Sequence, residues 1–141
     1  MKKILFCLLS VLSASTFAED TRQVIQMPAE ARAELRAEML DFQTALHQIV
    51  GALAAGKHDE AADIAEKAMG TGAMGRHRNA PPNARPGMFM PPDMHAIGRN
   101  LHGQASDFAK VARGGDTAKA LGALQVVTGA CVGCHRAFRI Q

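Results

Sequence analysis

Apolar residues recur at helical spacing along most of this chain. After Pro28 in "QMPAEARAEL", which stands where a helix can begin, Leu35, Met39, Phe42, Leu46, Ile49 and Leu53 follow in alternating steps of four and three. That spacing predicts a first helix with a bundle-type seam, closed by Gly56. "HDEAADIAEKAMG" predicts a short second helix with Asp59 near its start and Gly70 after its end. Its inward face, Ala61, Ile64 or Ala65, Ala68 and Met69, is built of small residues that let helices approach closely. Residues 70–92 hold five prolines and no periodic element, and read as a long Pro- and Met-rich connection. Asp93 is the expected N-cap of a third helix with the stripe Met94, Ile97, Leu101, Phe108 and Val111. "RGGD" breaks it, and Asp116 can cap a fourth helix whose face carries Leu121, Leu124, Cys131 and Phe138, with Thr128 and His135 in register between them. The expected fold is all-α, an antiparallel four-helix bundle, with no sheet signal and no internal repeat.

The first residues do not belong to that pattern. "MKKILFCLLSVLSASTFAED" has Lys2 and Lys3 ahead of an apolar run from Ile4 to Leu12 and a small-residue cleavage context ending at Ala18. This reads as a secretory leader over residues 1–18, with the bundle in 19–141 and the mature protein in the periplasm. The run is too short to cross a bilayer, and bulky Phe6 before Cys7 disfavours a lipoprotein site. No membrane span is expected in the mature chain. Losing Lys2 and Lys3 leaves 14 basic residues against 13 acidic ones, a net charge of about +1. With charges interspersed and no Tyr or Trp for stacking, no nucleic-acid footprint is expected.

Cys7 leaves with the leader, so the mature chain has two cysteines, both in "CVGCH", Cys131 to His135. A thioredoxin-like pair needs its CxxC at the start of a helix beside a strand; this one lies deep in the last helix. A zinc site needs two further ligands at suitable spacing, and no second CxxC or HxxxH exists. A disulfide between residues three apart closes almost no loop and stabilises little. Covalent haem fits: on a helix Cys131 and Cys134 lie on one side, each able to form a thioether with one vinyl group, and His135 is placed as proximal iron ligand. One haem c per chain is expected.

A CxxCH at the end of a four-helix chain resembles the class II cytochromes c, the cytochrome c-prime group. The resemblance covers the whole mature chain in architecture and is specific at "GACVGCHRAFR". It implies a haem carried on the last helix and lying inside the bundle. It also implies roles for an aromatic and an arginine after the histidine, here Phe138 and Arg139. Arg139, one helical turn beyond His135, would reach the proximal side of the haem; the alternative is a solvated helix-end cation.

The family includes members with an empty, apolar distal side and members with a methionine ligand from the first helix, at a position seven residues after an arginine. Two registers are open here: Arg32 points to Met39, and Arg36 to Gln43. Met39 lies on the apolar seam, either as distal iron ligand or as core packing. Arg36 or Arg32 could pair with a haem propionate, or stay a solvated charge; His47 is a further candidate ligand. "GMFMPPDMH" clusters Met88, Met90, Met94 and His95, soft donors that suit copper(I) or else a hydrophobic loop over the bundle. The connection and the short second helix depart from the family, so its pocket residues there do not carry over.

The expected function is one-electron transfer in the periplasm, with redox partner proteins of the envelope. The alternative is a five-coordinate haem protein that binds nitric oxide or carbon monoxide; a third option is copper handling by the Met/His loop. No nucleophile–base pair is visible, so an enzyme is not expected. Ala-rich faces on the first two helices permit a homodimer.

Overall fold

The computed structural model describes residues 19–141; the expected leader lies outside them. Four helices carry the fold: α1 (Ala29–Ala54), α2 (His58–Met69), α3 (Pro92–Ala112) and α4 (Thr117–Ala137). Each of the first three packs against the next, whereas α1 and α4 barely touch. The result is the expected antiparallel four-helix bundle, left open along one seam.

The helix boundaries follow local chemistry. Gly56 takes a φ of 70°, which a residue with a Cβ disfavours, and the turn it makes lets the Lys57 amide donate to the Ala52 carbonyl at 2.9 Å. Gly115 plays the same part before α4. There Asp116 caps the helix as expected, its carboxylate accepting from the Lys119 amide at 3.1 Å. The start of α3 differs from expectation. Pro92 occupies the first helical turn, so Asp93 is already inside the helix, where its carboxylate accepts from the Met94 amide.

The core is apolar throughout, with no fully buried polar side chain among the described residues. The larger of two clusters sets Phe42, Ile49, Leu53, Leu101, Phe108, Leu124 and Val127 against the alanines of α2 and α3. Those alanines, Ala61, Ala62, Ala65, Ala105, Ala109 and Ala112, are nearly solvent-free and let the helices approach closely. Two expected core residues lie outside it: Val111 is 38% exposed and Leu121 is 47% exposed. The helices instead turn the neighbouring Ala112 and Ala120 inward.

The connection from Gly70 to Pro91 holds only three short 3-10 turns, at Thr71–Ala73, Pro82–Ala84 and Pro86–Phe89. Its turns at Pro82–Ala84 and Pro86–Phe89 lie against α1, and two of its side chains reach acidic residues there. His77 sits between Glu34 and Glu38 at 3.4 and 3.5 Å, and Arg76 pairs with Asp41 at 2.9 Å.

One feature contradicts the expectation of no sheet. β1 (Gln23–Ile25) pairs in parallel with β2 (Phe138–Ile140), with Val24 opposite Arg139. Around it gathers a second cluster, Ile25, Met27, Ala31, Leu35, Met94 and Phe138. Phe138 is thus buried as expected, but from a strand.

Ile49 is fully buried in the larger cluster. Replacing it with Ala is expected to cost about 2–5 kcal/mol, measured by denaturant unfolding. A cost below about 1 kcal/mol would show that this seam is not the packed centre of the bundle.

Candidate functional site

The site is built from the last three turns of α4. Its inward face runs Ala120, Leu124, Val127, Cys131 and Cys134, again in steps of four and three, so both thiols continue the stripe that packs the core. Both are half-buried and unpaired. Cys131 packs against the larger cluster and Cys134 against the smaller one. Burial pushes both thiols above their ordinary pKa, and the nearness of Cys131 pushes Cys134 further the same way. A reactive thiolate needs the opposite environment, a helix N-terminus or a neighbouring cation. Redox-thiol chemistry is therefore poorly served here. Nor do three His, Cys, Asp or Glu side chains converge as an ion cage among the described residues.

His135 lies one step past the inward stripe and is exposed. Helical register puts it in a row with Leu121, Gln125, Thr128 and Val132, a mixed flank on which Leu121 is 47% exposed and Val132 51% exposed. Among the described residues α4 is the one helix long and apolar enough to cross a membrane, yet most of its apolar stretch is unburied. Its inward face packs against α3, so what stays open is a flank within a bundle.

The matching flank of α1 is identified by its neighbour. Asp41, Thr44 and Gln48 share a groove with Ile64 and Lys67 of α2, so the other side of α1 is turned away from α2. Helical register places Arg32, Arg36, Met39, Gln43, Leu46 and Val50 there. Gln43 is exposed, and so is His47 beyond it, while Met39 is half-buried. Met39 is also the one residue that packs against both clusters, as Cys131 and Cys134 do between them. Arg36 is exposed and forms no ion pair among the described residues, leaving its expected part beside a propionate without a contact to support it.

The donor set fits haem c. Two neutral thiols on one face, an imidazole one residue beyond, and exposed Leu121 and Val132 beside them suit a flat, apolar, doubly tethered ring. The groove between α1, α2 and the connection, about 780 Å³, holds none of these residues. It is wide open, and we place the site by its donors instead.

Arg139 is a correction. The helix stops at Ala137, so Arg139 does not continue it past His135; it lies in β2, its Nε 3.5 Å from the Asp20 carboxylate. Arg22, which the sequence did not single out, donates to the same carboxylate at 2.7 Å and to the His135 carbonyl at 3.5 Å. The Arg22 hydrogen bonds hold the Asp20 carboxyl well below the usual carboxylate range. The only hints were short: β-branched Val24 and Ile25 just before Pro28, and the alternation of Phe138 and Ile140 with polar residues.

The Met-rich stretch is committed to packing. Met94 is buried in the smaller cluster, Met90 packs against it, and His95 Nε2 bonds the Gly87 carbonyl. Met88 alone stands exposed.

In protein lacking haem, the two thiols are expected to react with iodoacetamide at pH 8 several times more slowly than free cysteine. Rates equal to free cysteine would mean that the inward face of α4 is not packed. Cys131→Ala together with Cys134→Ala is expected to leave haem extractable by acidified solvent, whereas the parent retains it on the chain.

A family model described as Cytochrome C' matches residues 57–139, more than half of the chain, from the start of α2 through Arg139. Searches of the curated proteins and of the solved structures return no match. That family carries covalently bound haem c, which agrees with the donors gathered on α4. The chain belongs to the cytochrome c-prime family.

Proposed function

We propose that this c-type cytochrome is an exported one-electron carrier of the periplasm, with Met39 as the second axial ligand opposite His135. The observation that carries the reading is the place of Met39: half-buried on the open flank of α1 and packed against both clusters that receive the two cysteines. The other candidates on that flank, Gln43 and His47, are solvent-exposed. The leader-like residues 1–18, and a family whose members are generally periplasmic, support export.

Haem c supplies the one-electron couple of its iron. The chain contributes the rest. Cys131 and Cys134 fix the ring to α4, so it stays bound through either ligand change or reduction. His135 is carried by the same turn of helix, which sets its approach. The two clusters exclude water from one side and lower the local polarity, and with a thioether ligand both effects raise a haem potential.

The reduced protein is expected to show a sharp, split low-spin spectrum, and the oxidised protein a methionine-to-iron charge-transfer band near the red end. Met39→Ala is expected to abolish that band and give a high-spin form. A broad high-spin spectrum in the parent, altered by nitric oxide, would replace electron transfer with gas binding. An unchanged spectrum in Met39→Ala would remove Met39 from the site.

A further inference from the structure

The bundle has no strong contact of its own between α1 and α4, yet the proposed ligands stand one on each. What joins these helices is the short sheet. β1 lies just ahead of α1, separated from it only by Gln26, Met27 and Pro28; β2 follows α4 without a break. The pairing is extended at both ends. The Gln141 amide donates to the Ile25 carbonyl at 3.0 Å, and the Met27 amide donates to the Gln141 carbonyl at 3.2 Å. At the other end Arg22 and Arg139 converge on Asp20, and Arg22 reaches the carbonyl of His135 itself.

Two side chains of the same segment face inward. Ile25 is 5% exposed and Met27 is 6% exposed. They pack in the smaller cluster with Ala31 and Leu35 from the first turns of α1 and with Phe138; Met39 and Cys134 pack onto that cluster from opposite helices. Pro28 leaves no slack between this segment and α1, because its ring fixes φ and restricts Met27 before it. A helix is stiff, so holding its first turns fixes the height of Met39, ten residues further on and ~15 Å along the axis.

We propose that Asp20–Met27 is a positioning strap: its pairing with Phe138–Ile140 holds α1 against the haem-bearing end of α4 and so sets Met39 opposite His135. The proposal rests on the reading of Met39 as axial ligand. The strap contributes effective concentration: with it in place the thioether meets the iron as a near neighbour, and without it α1 samples positions that place Met39 elsewhere.

The test uses the haem-bearing protein and titrates its oxidised form with imidazole, which competes with Met39 for the iron. In one variant two glycines are inserted between Met27 and Pro28, slackening the strap while leaving every side chain present. A second variant, Ile25→Asp, puts a charge into the strap's buried face. Both are expected to lower the imidazole concentration for half-displacement about tenfold, with far-UV helicity and covalent haem retained. Gln23→Glu, at an exposed position, is expected to change nothing. If Ile25→Asp fails to fold, the insertion alone decides. An insertion variant that titrates like the parent overturns the strap. Met39→Ala separates the two readings: if its spectrum matches the parent, the axial assignment has failed, whereas a changed Met39→Ala spectrum beside an unaffected insertion variant fails the strap alone.

Discussion

The site depends on the spacing of Cys131 and Cys134, which forces both thiols out of the same face of α4, the face that also packs the core. Val127 and Leu124 lie on that stripe a turn or two earlier, fully buried or nearly so, and the thiols simply continue it. Whatever the thiols hold must then lie against the bundle rather than outside it. A helix that gives its inward face to α3 meets α1 only weakly and keeps a flank uncovered. The open seam between α1 and α4, the half-burial of Met39 and the uncovered flank of α4 are three expressions of that one arrangement.

Much of this was legible in the residues. The seam from Leu35 to Leu53 needs only the helical period, and Gly56 and Asp116 mark ends because a left-handed turn or a capping carboxylate suits few other residues; Gly70 marks another because a Cβ there would run into Glu66. The haem donors were legible because CxxCH combines three groups whose geometry on a helix admits few uses. Where the pattern failed, it failed for a physical reason. Large apolar residues attract attention, so Val111 and Leu121 looked like core; in a bundle of close-packed helices the alanine beside each is what fits.

The short sheet could not be read in the same way. Three residues paired with three others across nearly the whole chain leave almost no periodic trace, and each run borders a helix whose pattern dominates it. Arg139 illustrates the effect: by spacing alone it sits a turn after His135, but the backbone becomes extended at Phe138 and sends its side chain toward Asp20 instead. The family match spans residues 57–139 and so leaves out both β1 and α1. The helix that bears Met39 and the segment paired with β2 belong to the part of the chain where family likeness gives least guidance.

The parallel pairing of β1 with β2 also bears on the order of assembly. Gln23 and Phe138 are partners at close to the greatest sequence separation the described chain allows. Joining distant segments carries the largest loop-closure entropy and is favoured only after nearer contacts have shortened the effective loop. The hairpins of α1 with α2 and α3 with α4 therefore form ahead of it. Until that pairing forms, the last turns of α4 lack their contact with the segment ahead of α1. The contact that ties the two ends of the chain together is therefore the one that completes the fold.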